Sequence, residues 1–302
     1  MHPNTSTQTI RRFPLALTAF AVLLATVEPA VAAAQATKGD PRDTTHAQKQ
    51  APFFTAKDAV LAASFVGATL LMFPLDKQAA HALQDSSTQA NRLLKHTTTD
   101  VEIITSPGAY IIGGALYAVG RLGKWDRVAD LGWHGTEALI VGELVAVVIK
   151  GTMGRQRPYV EPRNSNSYQL FRGFGGSDKF RSFPSGHSTS AFAAAAAVTS
   201  ETSRFWPEGT WIVGPILYAG AALTGISRMY NNRHWASDVL VGAGIGTFAG
   251  LKVVRYHHTH PGNRLDKWML AGSIAPADDG GHTLRLSIVP APAWLTSNPA
   301  RR

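Results

Sequence analysis

Residues 239–251 read VLVGAGIGTFAGL, an unbroken apolar run in which Gly242, Gly246 and Gly250 recur at every fourth position. A strand alternates with period two, whereas a spacing of four lines the three glycines along one side of a helix. A side made of small residues lets a second helix backbone come close, in membranes especially. The Gly242-x-Gly244 pair inside this run is not read as a dinucleotide loop, because no strand precedes it.

Five more stretches share this character: Ala59–Pro74, Pro107–Gly120, Ala138–Ile149, Ser188–Val198 and Trp211–Ile226. Each is too long and uninterrupted for a typical strand, so the sequence predicts an all-α fold, a helical bundle of about six helices with its active site at one end. Each is also shorter than the roughly 18 residues that mark a confident membrane span, so a compact bundle and short transmembrane helices both stay open. Ala191 and the run Ala193 to Ala197 make the fourth helix thin.

The flanks differ from this body. Residues 1–36 read as a secretory signal peptide, with Arg11 and Arg12 before the apolar run Phe13 to Val27 and with small-x-small cleavage sites such as Ala30-Val31-Ala32. An uncleaved anchor is the alternative. Residues 37–51 are polar and aperiodic, a flexible linker. The helical domain takes 52–262, and 263–302 form a C-terminal tail in which His282 to Val289 alternates as a short strand would. Between the third and fourth helices, Tyr159 to Phe183 is a long polar loop, the kind that serves as a lid.

The chain carries a net charge of +9, with 45% hydrophobic and 16% charged residues. This balance suits anionic partners, either acidic headgroups or phosphorylated substrates. No Lys/Arg stripe interleaved with aromatics supports nucleic acid. With no cysteine, thiolate catalysis, disulfides and cysteine-based zinc sites are excluded.

Three motifs carry chemistry. Lys150 closes the third helix, and Arg157-Pro158 follows after six residues; alone, this reads as a helix-capping lysine before a basic loop. Pro184-Ser185-Gly186-His187 enters the fourth helix, where unpaired N–H groups make a ready anion site, although a plain serine cap looks the same. Ser227-Arg228 precedes His234 and Asp238, and the spacing of four predicts that the last two share a helix face, the carboxylate orienting the ring through Nδ1–H and leaving Nε2 as a nucleophile. The segment around Ser185 does not fit a serine-hydrolase elbow.

Together the three motifs resemble the type 2 phosphatidic acid phosphatase superfamily, which includes lipid phosphatases, bacterial non-specific acid phosphatases and vanadium haloperoxidases. Its signature is Lys-x6-Arg-Pro, Pro-Ser-Gly-His and Ser-Arg-x5-His-x3-Asp, matched here in order over about residues 107 to 254. The resemblance implies a metal-independent hydrolysis of phosphate monoesters through a phosphohistidine, with His234 as nucleophile, His187 as acid and Asp238 orienting His234. It implies that Lys150, Arg157, Arg228, Ser185 and the Gly186 N–H hold the phosphate oxygens. Two arginines and a lysine supply the charge that a phosphoryl group in transfer needs.

The expected substrate is a phosphorylated lipid or a small phosphoester, with a lipid favoured by the apolar helices. No cofactor is implied; a vanadate-dependent haloperoxidase is the alternative from another reaction class, and a soluble periplasmic acid phosphatase the alternative within this one. Glu143, alone in an apolar helix, reads as paired inside the bundle. His134 and the group His257, His258 and His260 have no partner at a metal spacing in sequence and read as interface or tail residues. The chain is expected in the cell envelope with its site facing the periplasm, as an integral membrane protein or a soluble periplasmic bundle. Arg121, Lys124 and Arg127 before the third helix favour that side. An exported N-terminus followed by six spans would put Lys150 in the cytoplasm, so either Ala59–Pro74 stays out of the bilayer or the body is soluble.

Overall fold

The structure, a computed structural model, describes residues 53–260, 263, 273–276 and 282–285. The signal peptide and the linker expected at 1–36 and 37–51 lie outside the described residues. Nine α-helices are described: α1 Ala56–Met72, α2 Asp76–Leu83, α3 Ser86–Gln89, α4 Arg92–Ile103, α5 Ala109–Gly123, α6 Asp126–Met153, α7 Gly186–Phe205, α8 Pro207–Tyr230 and α9 Ala236–Thr259. Two short strands follow, β1 Ser273–Pro276 and β2 His282–Arg285, paired antiparallel with Ser273 opposite Arg285. The strand expected from His282 onward is there, ending at Arg285 among the described residues.

All six apolar stretches are helical, so the predicted all-α fold holds. The close approach encoded in the glycine stripe is realised between α9 and α7. A Cβ on Gly246 would stand 2.1 Å from the Thr189 carbonyl oxygen, and one on Gly242 would stand 2.4 Å from that of Ser185. No side chain fits there, so the two backbones touch over several turns. Phe192 of α7, Tyr218 of α8, Leu240 of α9 and Leu61, Phe65 and Met72 of α1 fill the remaining core.

Local signals set the helix ends. Thr55 and Asp58 cap α1 reciprocally: Thr55 Oγ1 accepts the Asp58 N–H at 3.3 Å, and Asp58 Oδ2 accepts the Thr55 N–H at 2.7 Å. Helix α6 stops at Gly154, whose φ of +54° favours glycine and whose Cβ would collide with the Gln169 carbonyl. Helix α8 starts on Pro207, where the missing N–H costs nothing.

Helix α1 runs from one end of the bundle to the other. Near its start Asp58 accepts from Lys252 of α9 at 2.5 Å and from Arg255 at 3.2 Å, and just past its end Asp76 pairs with Arg155 at 2.7 Å. Helix α1 thus runs the same course as its neighbours in the bundle. Four helical segments, Ala56–Leu83, Asp100–Gly123, Pro207–Tyr230 and Ala236–Thr259, are long and apolar enough to cross a membrane. Val60, Leu71, Ile111, Leu144, Trp211 and Ile216 stand exposed around the bundle, Trp211 by 74% and Leu71 by 70%. So wide an apolar surface belongs in lipid rather than water, and the chain is an integral membrane protein.

Candidate active site

Helices α6 and α8 end, and α7 and α9 begin, at the same end of the bundle, so alternation of direction brings all three motifs together. The Ser185 N–H donates to the Asp238 carbonyl at 3.0 Å, joining the second motif to the third. The Arg157 N–H donates to the Lys179 carbonyl and the Ser182 N–H to the Arg155 carbonyl, joining the first to the loop before the second.

His234 is 3% exposed and lies in the turn between α8 and α9. Its Nδ1 is 2.6 Å from the Ser182 carbonyl oxygen and 3.8 Å from Asp238 Oδ2. A carbonyl only accepts, so Nδ1 carries the proton and Nε2 keeps its lone pair. The ring is therefore held in the nucleophilic tautomer by Ser182, a residue absent from the motif reading. Burial pushes the imidazole well below its ordinary pKa of 6.5, against the pull of Asp238, so the ring is neutral.

Asp238 does not sit one turn along a shared helix from His234, as expected, because α9 begins at Ala236. It is in the first turn of α9, where its Oδ2 accepts the Trp235 N–H at 2.8 Å and the Ser182 hydroxyl at 2.5 Å. Its reach to His234 thus runs through Ser182, whose hydroxyl it holds and whose carbonyl holds the ring.

The other oxygen of Asp238 meets Arg155, a fully buried residue that sequence reasoning missed. Arg155 donates to Asp238 Oδ1 at 2.5 Å, to Ser237 Oγ at 2.7 Å, to Asp76 Oδ2 at 2.7 Å and twice to the Ser165 carbonyl. Asp76 in turn accepts the Ser237 N–H at 2.8 Å. The rings of Phe73, Tyr168 and Trp235 surround the guanidinium, each with its centroid within 5.5 Å. Burial works against its charge, but Asp238 and Asp76 outweigh it and raise the Arg155 pKa; burial pushes the Tyr168 hydroxyl up to about 12.

The expected phosphate ligands converge, with two refinements. Arg228 is buried; its Nη1 pairs with Glu102, while its Nε has no hydrogen-bond partner among the described residues. A buried donor without a partner is costly, and an arriving anion oxygen would satisfy it. Arg157 donates from Nε to the Asp178 carbonyl at 2.9 Å and from Nη2 to Asp178 Oδ1 at 2.8 Å. Burial lowers its pKa, opposed by Asp178, yet an arginine stays charged. Each arginine thus has a carboxylate from outside the motifs, Glu102 on α4 and Asp178 in the loop.

Lys150 makes no ion pair among the described residues, and its Nζ would stand 3.3 Å from a Cβ on Gly186. Glu143 Oε1 would stand 3.0 Å from the same Cβ, so only glycine leaves room for the lysine and an anion there. Glu143 also accepts the Ser190 hydroxyl at 2.8 Å and is paired inside the bundle, as expected. Ser185 caps α7, its Oγ accepting from the Ser188 N–H and hydroxyl, which leaves its own proton to donate. Burial pulls the His187 imidazole pKa down to about 4, helped by the positive charge of Arg228, Lys150 and Arg157 and opposed by Glu102, so on balance these groups hold the ring neutral.

Residues 132–261 match the model of the PAP2 superfamily. A curated relative, the lipid A 1-phosphatase of Porphyromonas gingivalis, is 48% identical over 71 residues, 23% of this chain and 15% of its own length. The chain thus covers only a small part of that relative. Among solved structures, the transmembrane PAP2 type phosphatidylglycerolphosphate phosphatase from Bacillus subtilis aligns with a TM-score of 0.46 and 21% identity, over 68% of this chain and 94% of that one.

Proposed function

We propose that this protein is a membrane phosphatase that hydrolyses lipid phosphate monoesters without a metal, through a phosphohistidine on His234. The observation that carries the reading is the buried meeting of Lys150, Arg157 and Arg228 with a neutral imidazole whose Nδ1–H is already donated. Such a cradle stabilises charge on equatorial phosphate oxygens while Nε2 attacks phosphorus and the P–O bond to the alcohol breaks. His187 gives its proton to the departing alkoxide; a bound phosphate offsets the three cations around this ring and favours its protonated form. Water then attacks the phosphohistidine, with His187 taking back a proton, and releases inorganic phosphate. The exposed apolar belt and the name of the curated relative support a lipid substrate. Phosphate release from a panel of lipid and soluble phosphomonoesters tests this; turnover of soluble esters alone would overturn the lipid assignment.

Two variants test the roles. His187→Ala should cost on the order of 10²- to 10⁴-fold on an alkyl phosphate and much less on a nitrophenyl phosphate, whose leaving group needs little protonation. Equal losses on both would remove His187 from the acid role. Arg157→Lys should lower kcat/KM by roughly 10²-fold despite its retained charge, because a single ammonium cannot serve both acceptors of Asp178 and an anion at once. Steady-state kinetics on one substrate checks it.

We further propose that the site faces the periplasm, with Arg121, Lys124 and Arg127 at the cytoplasmic end. Because α1 runs end to end, residue 53 then also starts on the cytoplasmic side. A periplasm-dependent reporter fused after Pro158 should be active and one fused before Phe53 inactive. The reverse pattern would place the site in the cytoplasm.

A further inference from the structure

At the end of the bundle opposite the proposed site, two buried side chains and one half-buried one meet from three helices. They are His134 of α6, Glu201 of α7 and His258 of α9. His134 Nδ1 lies 2.5 Å from Glu201 Oε1, and His258 Nε2 lies 3.0 Å from both oxygens of Glu201. All three ligand atoms fall within 4.8 Å of one another. His134 stands sixteen positions before Lys150 on one helix, which sets the two sites about 24 Å apart.

Three further residues, His257, Asn263 and Glu137, support the first three. The ring of His257 stacks on that of His134 with centroids 4.2 Å apart. Its Nδ1 faces Asn263 Nδ2 at 3.3 Å and its Nε2 faces Glu137 Oε2 at 2.5 Å. An amide nitrogen only donates, so Nδ1 of His257 accepts and Nε2–H is given to Glu137. His257 is thus committed on both nitrogens and fixes the plane of His134 instead of ligating. Sequence reading set these histidines aside because their carboxylate partners lie 57 to 120 residues away along the chain.

We propose that His134, Glu201 and His258 form a binding site for a divalent transition metal of the zinc class, tying α6, α7 and α9 together at this end. The donor set of two imidazoles and one carboxylate is one that zinc accepts, with the fourth position left for water. Tetrahedral bonds of about 2.1 Å place donors about 3.4 Å apart, so closure needs His134 Nδ1 and His258 Nε2 to draw back from Glu201 by a few tenths of an ångström to about 1 Å, and to settle at that spacing from each other, from within 4.8 Å. Each ring then carries its proton on the other nitrogen. His258, 24% exposed on its side chain, opens a path for the ion, while His134 and Glu201 are closed off. Glu201 and Glu137 among imidazoles give the site the negative charge that a dication would neutralise.

The test uses untagged full-length protein in detergent, stripped by a chelator and titrated with cobalt(II), then with zinc(II) as competitor. One equivalent of cobalt per chain should bind with the visible absorption of a four-coordinate site, zinc should displace it, and either ion should raise the midpoint of thermal unfolding. Glu201→Gln and His258→Asn should each weaken binding by at least about 100-fold, and His257→Gln by about 10- to 100-fold as a supporting residue. His258→Asn alters a partly exposed side chain and is the variant least exposed to misfolding; far-UV circular dichroism checks each fold. Absence of stoichiometric binding in the parent protein, or unchanged affinity in Glu201→Gln and His258→Asn, overturns the site. Initial phosphatase turnover at 25 °C should survive chelation, so the result is independent of the proposed catalytic reading.

Discussion

His234→Ala is expected to abolish phosphate release, with a loss on the order of 10⁴- to 10⁶-fold, the range seen when a covalent nucleophile is removed. The same variant should take up no label from a phosphate ester after rapid acid-free quenching, whereas the parent should yield an acid-labile phosphoenzyme. The reason lies in the turn between α8 and α9. Among the described residues, no second imidazole has one nitrogen bonded to a backbone carbonyl and the other left with its lone pair in the field of Arg157 and Lys150. His187 cannot substitute, because it starts α7 and its task needs a proton rather than a lone pair. A labelled His234→Ala protein would move the nucleophile elsewhere. Because burial holds His234 neutral to well below pH 6.5, phosphoenzyme formation should not be lost on moderate acidification. The sign follows from the lone pair, which disappears only when the ring binds a second proton, below its lowered pKa. Quench-flow labelling between pH 5 and 7 reads it.

The helices that carry the site were legible because apolar runs of this length have few alternatives, and the motif residues were legible because their spacing is fixed along the chain. What the sequence hid was contact across the chain. Helices α2 to α4, from Asp76 to Ile103, are short and polar, with no apolar stretch to announce them. They form because they cover the end of α8: Gln84 Nε2 and Gln89 Nε2 donate to the Tyr230 carbonyl at 2.8 and 3.1 Å. They also deliver Glu102 to Arg228 and Asn231. Helix α6 begins at Asp126, twelve positions before the apolar stretch that predicted it, because His134 and Glu137 find partners on α7 and α9 that periodicity cannot show. The expected geometry of Asp238 failed for a local reason: a spacing of four implies a shared helix face only when both residues lie inside the helix, and Trp235 ends the turn between them. Two residues beside quoted motifs were left unread: Arg155, two positions before Arg157, and Ser182, two positions before Pro184.

Arg155→Met is expected to destabilise the protein by about 3–5 kcal/mol, the usual cost of removing one partner of a buried ion pair. Against a total stability of about 5–15 kcal/mol this is a large fraction. The substitution leaves Asp76 and Asp238 facing each other, both fully buried and both stripped of their shared cation. A methionine can still fill the space between Phe73, Tyr168 and Trp235, so lost packing is not the main term. The double variant Arg155→Met with Asp76→Asn should recover part of the loss, since one orphaned charge is gone and an asparagine can still accept from the Ser237 N–H. Thermal unfolding in detergent measures both, and a single variant that melts with the parent would show that the cluster is not holding the bundle together. Turnover carries the second readout. Asp238 keeps the Ser182 hydroxyl at 2.5 Å, and the Ser182 carbonyl keeps His234 at 2.6 Å. A rotated Asp238 therefore reaches the nucleophile through a single residue, and the folded fraction of Arg155→Met should lose kcat while KM stays near that of the parent. A loss confined to KM would instead tie Arg155 to the phosphate cradle, which its complete burial beneath the site argues against.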